Sequence, residues 1–223
     1  RLVRFVQTPK SAIRQSPIAI RNSEDWPTYR HDAERFGATT ASVPAAVLPL
    51  WKVALGGRVT PAVIADGMVL VAATDAHAIH ALSASDGKPL WTYTAAGRID
   101  SPPTISEGLV LFGCADGRAY CLRASDGALG WRFQAAPSAQ RFVACGQLES
   151  PWRVHGSILL KKGVAYLTAG RASYLDGGIW LFGLDPKTGR VLHEAHLDTW
   201  ARTRDDAKNK PFAERALYEY LAF

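Results

Sequence analysis

Apolar residues in this chain come in short, nearly unbroken runs: MVLVAA over 68–73, LVLFGC over 109–114 and VAYLTA over 164–169. Their length and β-branched content predict strands, and their lack of alternation predicts strands covered on both faces. A helix would need apolar spacing of three to four over about a dozen residues. Here glycine pairs interrupt the chain about every ten residues instead. Asp66-Gly67, Glu107-Gly108 and Lys162-Gly163 precede the runs, and Asp116-Gly117 and Asp176-Gly177-Gly178 follow the second and third. Asp86-Gly87, Asp126-Gly127 and Thr188-Gly189 mark a further set of turns. Glycine meets a positive φ at little cost, which is its use in such turns.

The pattern repeats. Trp51, Trp91 and Trp131 stand 40 residues apart, and the segments that follow them align. A third copy is longer, with its extra residues between Trp131 and Ser150. Each copy reads as four strands, opened by a Trp-bearing strand such as 90–94. A Thr-Pro or Ser-Pro step follows (Thr60-Pro61, Ser101-Pro102, Ser150-Pro151), and proline suits a strand start where no ladder donor is needed. Four strands every 40 residues is the period of a β-propeller blade. The expected fold is therefore all-β: a partial β-propeller of about three four-stranded antiparallel blades over residues 25–198. An N-terminal arm over 1–24 precedes it. A tail over 199–223 lacks the repeat and reads as a short helix from Pro211 or as disordered chain. So few blades do not close a ring. The chain is expected to be the N-terminal part of a longer protein, or to meet another chain, because open blade faces leave apolar surface uncovered.

The copies resemble the quinoprotein (PQQ) alcohol dehydrogenase-like β-propeller, whose tryptophan-docking repeat runs approximately A-x-D-x-x-T-G-x-x-x-W. The first copy offers Ala81, Ser83, Asp86, Gly87 and Trp91. The second has Cys121, Arg123, Asp126, Gly127 and Trp131, and the third Gly183, Asp185, Thr188, Gly189 and, in place of the indole, His193. The lead-in DWPTYRHDAERFGAT, Asp25 to Thr39, also resembles the segment before the first blade of bacterial members. The resemblance covers residues 25–198. It implies the fold, a periplasmic or otherwise extracytoplasmic location, and docking of Trp51, Trp91 and Trp131 on turns that carry Gly87, Gly127 and Gly189. Each indole would stack on an adjacent turn while its N–H finds a carbonyl. Fold alone does not carry an activity.

Charge and cysteine change this picture little. The net charge is +6, with Arg1, Arg4, Lys10, Arg14 and Arg21 on the arm and Arg202, Arg204, Lys208 and Lys210 on the tail. No zinc finger, helix-turn-helix or RNA-binding aromatic pattern accompanies it, so no specific nucleic-acid partner is expected. No apolar run reaches the roughly 18 residues of a membrane span. Cys114, Cys121 and Cys145 make no CxxC and read as free, half-buried thiols. His31, His77, His80, His155, His193 and His196 show no metal-ligand spacing, so no metal is expected.

Candidate chemistry gathers where the first strand of each blade lines the central channel. The residues entering those strands include Arg58, Arg98, Asp100, Gln147 and Glu149, followed by Trp152 and Arg153. A mouth so lined can hold an anionic or polyhydroxyl ligand through charge-assisted bonds; alternatively these side chains pair with one another and with channel water. The longer third copy adds loop around 140–147, and the loop GRASYLDGG contributes Arg171 and Tyr174 as ligand contacts beside an Asp176 turn. The leading reading is a non-catalytic binding or scaffold module with no cofactor, a protein or glycan partner, and further blades supplied by the same protein or another chain. One alternative is a PQQ-dependent oxidoreductase acting on alcohols or sugars, which the resemblance implies would hold PQQ over calcium. No adjacent cysteines and no Glu/Asn/Asp calcium set can be mapped for it, and the catalytic residues stay unknown. The other alternative is a carbohydrate or polyanion binder.

Overall fold

The computed structural model describes residues 25–144 and 146–199 and the backbone of residues 2–5. The remainder of the expected arm (1–24), and the expected tail (199–223) apart from Thr199, lie outside the described residues.

In chain order the strands are β1 (Leu2–Phe5), β2 (Pro49–Val53), β3 (Val63–Ala65), β4 (Met68–Ala73), β5 (Ala78–Ser83), β6 (Pro89–Thr94), β7 (Thr104–Ser106), β8 (Leu109–Gly113), β9 (Arg118–Arg123) and β10 (Leu129–Gln134). Then come β11 (Phe142–Ala144), β12 (Gln147–Glu149), β13 (Val154–Lys161), β14 (Val164–Ala169), β15 (Ile179–Leu184) and β16 (Val191–Leu197). β3–β6, β7–β10 and β13–β16 are three four-stranded antiparallel sheets, each a meander in chain order. The fold is thus all-β, with three blades of a propeller. The first turn of each blade takes the expected conformation, with φ of +50° and +75° at Asp66-Gly67, and matching values at Glu107-Gly108 and Lys162-Gly163. β3, β7 and β13 lie next to one another and form the inner rim.

Strand pairing corrects the phase of the repeat. The Trp-bearing strand closes a sheet and does not open one: Trp91 lies on β6 opposite Ala81, and Trp131 on β10 opposite Cys121. His193 takes the equivalent place on β16, opposite Gly183. A periodic sequence has no intrinsic starting point; only hydrogen bonding between strands chooses one. The pair β1–β2 reproduces the same register, with Arg4 opposite Trp51 and the same irregularity just before the indole position. It corresponds to the third and fourth strands of a further blade.

Two apolar layers hold the blades together. Val63, Leu70 and Ile79 of the first blade meet Val110, Phe112, Tyr120 and Leu122 of the second. On its other face the second blade presents Leu111 and Cys121 to Ile158, Leu167 and Phe182 of the third. Full burial of such side chains contributes about 1.5–3 kcal/mol each. Both faces of the middle sheet are covered, which is why its apolar strands do not alternate. Cys114 and Cys121 are fully buried, not half-buried as expected, because both sit within these layers. Burial raises both thiols, that of Cys121 to about 12, so they stay protonated and inert.

The outer face of the first blade is covered by β2, through Trp51 and Val53 against Val69 and Leu82. Among the described residues the far face of the third blade meets only part of the lead-in and no further sheet, and Leu181 and Leu197 there are about two-fifths exposed. The lead-in crosses the inner strands of all three blades. Trp26 exchanges backbone bonds with Ile64, Pro27 accepts from Ile105, and the Arg35 guanidinium donates 2.8 Å to the carbonyl of Ser157. No helix among the described residues is long and apolar enough to cross a membrane.

Candidate functional site

In a four-stranded meander, the turn between the second and third strands and the crossing to the next blade fall at the same end. That geometry gathers the candidate residues on one rim. Arg58 comes from the β2–β3 crossing, Arg98 and Asp100 from the β6–β7 crossing, and Gln147, Glu149 and Trp152 from the longer segment between β10 and β13. Arg171 and Tyr174 come from the β14–β15 loop.

Near the axis lies an ion network. The Arg98 guanidinium donates to Asp100 at 2.8 Å and to Glu149 at 3.3 Å, and Arg153 donates to the same Glu149 oxygen at 3.2 Å. Arg98 is 8% exposed and Glu149 only 4%. Charges so deeply placed persist only when paired, and here two carboxylates face two guanidiniums. Arg153 also donates from Nε to Nε2 of His155 at 3.0 Å. His155 must therefore present a lone pair on Nε2 and carry its proton on Nδ1. Burial, reinforced by the neighbouring Arg153 charge, holds its pKa down to about 4.

Farther out the charges are also paired. Arg58 grips Asp75 in a two-pronged bond of 2.9 and 2.7 Å, and that contact lowers the Asp75 carboxyl below its usual range. Arg171 grips Asp176, at 3.0 Å from Nε, and its guanidinium lies 4.9 Å from the centre of the Phe142 ring. Trp152 is buried and donates 2.7 Å to the carbonyl of Asp176, while Tyr174 is half-buried in the same loop. Gln147 meets His77 at 2.9 Å. The segment expected as loop around 140–147 contains a small hairpin, β11–β12, with Phe142 opposite Glu149, Val143 opposite Leu148 and Ala144 opposite Gln147.

The six ligand candidates Arg58 through Trp152 thus share one rim, joined by Arg171 and Tyr174. Asp75, His77 and His155 belong to the same surface and were not among the candidates. The repeat held a signal for Asp75, since it aligns with Asp116, a buried residue that accepts from Tyr120 and Arg118. Below the rim, between lead-in and third blade, a cavity of about 700 Å³ is lined by Tyr29, Arg35, Asp100, His155, Tyr166 and Leu181, among others.

Among the described residues, no three His, Cys, Asp or Glu side chains stand close enough to share a cation. The inner carboxylates, Asp100 and Glu149, already bond guanidiniums. This donor set does not fit the oxygen-rich calcium cradle that a PQQ site would require.

The three indoles named as docking residues reach the next blade's turn. Trp51, Trp91 and Trp131 donate to the carbonyls of Ala84, Ala124 and Pro186 at 3.0, 2.8 and 2.8 Å. Their rings lie on Gly87, Gly127 and Gly189.

A PQQ-repeat family model, described as outer membrane protein assembly factor BamB, matches residues 42–215. The outer membrane protein assembly factor BamB of Burkholderia pseudomallei is 26% identical over 119 residues, covering 53% of this chain and 29% of that protein. The DNA damage-responsive serine/threonine-protein kinase RqkA of Deinococcus radiodurans is 30% identical over 125 residues, 52% of this chain and 19% of the kinase. Among solved structures, the quinohemoprotein alcohol dehydrogenase from Comamonas testosteroni superposes with a TM-score of 0.62 and 21% identity, over 77% of this chain and 27% of that one. The likeness to the dehydrogenase is one of fold. The chain spans less than a third of the length of these curated relatives.

Proposed function

Because the chain belongs to the BamB-like PQQ-repeat propeller family, we propose that it serves as a non-catalytic binding and scaffold module for other proteins. The observation that carries this reading is the saturation of the rim: Arg98, Asp100, Glu149 and Arg153 neutralise one another. A rim of fixed, mutually paired charges suits recognition of a surface and leaves no carboxylate free to act as a base. Relatives named as outer membrane assembly factors support protein partners and an extracytoplasmic location. In this reading further blades, on this polypeptide or another, cover the far face of the third blade.

Two measurements on the full-length protein test the reading. Incubated with PQQ and calcium, it is expected to oxidise neither alcohols nor sugars in a dye-linked assay. Chelator-sensitive turnover would overturn the proposal. Photo-crosslinkers placed on the rim in the native host are expected to trap protein adducts, and crosslinking to none would count equally against it.

A further inference from the structure

The hairpin β11–β12 is an insertion in the repeat. Where the first and second blades are joined by the residues between Thr94 and Thr104, the second and third are joined by those between Gln134 and Val154, and the extra length folds into this hairpin. Its inner side is tied down on three blades. Gln147 meets His77 of the first, Glu149 bonds Arg98 and Arg153, and Phe142 lies under Arg171 of the third. The outer side is the reverse. Val143 and Leu148 stand directly opposite each other, 72% and 56% exposed. Two residues before Val143, the exposed Arg141 takes part in no ion pair among the described residues. Among the described residues β11 pairs with β12 alone, so its second edge keeps unbonded N–H and C=O groups there.

An apolar strand edge left open is a template for another strand, and proteins that do not use such edges blunt them with shortness, charge, proline or cover. This edge is only three residues long, yet an exposed valine stands at its centre. From the rigid inner side, the apolar pair, the unbonded edge and the unpaired cation together, we propose that β11 is the docking edge for an extended segment of a protein partner. That segment adds to the hairpin as a third strand. It places an apolar side chain beside Val143 and, two residues along on the same face, a carboxylate against Arg141. The chain's charge of +6 favours an acidic partner on encounter as well. Because the hairpin is held in place before binding, little ordering cost falls on this side of the interface. The inference rests on the binding-module reading and names the chemistry of its partner.

The test uses the full-length protein and a fluorescent strand-length peptide of alternating Val and Thr with one central Glu. Binding by anisotropy is expected, with slowed exchange at those amides of 142–144 that do not bond β12. Replacing the peptide's Glu by Lys, or substituting Arg141→Glu or Val143→Lys in the protein, should each weaken binding by roughly tenfold or more. These side chains are exposed, so the fold is retained. Peptide binding that protects a different segment and ignores both substitutions would overturn this docking edge while leaving the binding-module reading intact. So would an outward-facing β11 amide already protected without peptide, since the edge would then be covered by the protein itself; the amides that bond β12 are protected in either case. No binding of the peptide at all would also overturn it, and the rim crosslinking described above then decides the broader reading separately.

Discussion

Gly127 lacks the one atom that Trp91 would strike. A Cβ there would lie 2.5 Å from Cε3 of the indole, whose N–H is fixed on the carbonyl of Ala124. Gly127 also holds φ of +71°, a conformation costly to residues with a Cβ. The turn thus has two separate reasons for glycine, and they can be measured apart. Gly127→Ala adds overpacking against a fixed ring to the backbone penalty, for a loss of about 2–4 kcal/mol in urea unfolding. Gly108→Ala shares the backbone penalty at φ +76° but meets nothing within 4 Å, so it should cost only about 1 kcal/mol. Equal losses in the two variants would refute the docking contact.

The same relation joins Trp131 to Gly189 and, through its N–H, to the carbonyl of Pro186. Trp131 also packs with the cluster between the second and third blades. Trp131→Ala should therefore lower stability by about 3–5 kcal/mol, the usual cost of removing a large packed aromatic. Trp131→Phe retains part of the ring and loses the hydrogen bond, and should fall between the two. A thermal midpoint unchanged in Trp131→Ala would exclude a role in holding blades together.

Local periodicity made the blades legible in the sequence. The apolar runs at 68–73 and 164–169 are strands, that at 109–114 is a strand as far as Gly113, and their glycine turns adopt the positive φ that their residues suggest. Phase was not legible, because Trp91 belongs to β6 by hydrogen bonding with β5, a fact that repetition cannot encode. The rim was legible as a set of residues and opaque as a network. Arg98 and Glu149 lie 51 residues apart and belong to different crossings, so only the closed fold brings them to 3.3 Å. The hairpin at 142–149 was hidden for a different reason: its three-residue strands are too short to impose an alternating pattern.

Glu149 depends on its guanidiniums. Arg98→Met removes one of its two cationic partners while leaving the carboxylate 4% exposed. Breaking one side of a buried pair costs about 3–5 kcal/mol, since the remaining charge is left poorly compensated. Adding Glu149→Gln to the Arg98→Met variant should recover part of that loss. Arg58→Met, which breaks an exposed pair with Asp75, should change stability by less than about 1 kcal/mol. Chemical denaturation of the wild type and the three variants at one pH makes the comparison, and a larger loss at Arg58 than at Arg98 would contradict the burial argument.

His155 should make the protein sensitive to mild acid. Its pKa is held near 4 in the folded chain, first by burial and then by Arg153, against an ordinary value of 6.5. Asp100 pulls the other way and is outweighed. The unfolded chain therefore takes up a proton on this ring as pH falls through 6.5, and the folded chain does so only near 4. Its contribution is complete above pH 6.5, declines between 6.5 and 4, and is lost below that. The window corresponds to a loss of about 3 kcal/mol at most. Other carboxylates add their own acid dependence, so the informative quantity is a difference. Stability measured in urea at several pH values across that window should fall less steeply for His155→Gln than for the wild type. Gln can still accept from Arg153 and does not titrate. Parallel curves for the two proteins would show that the imidazole is not held neutral by this site.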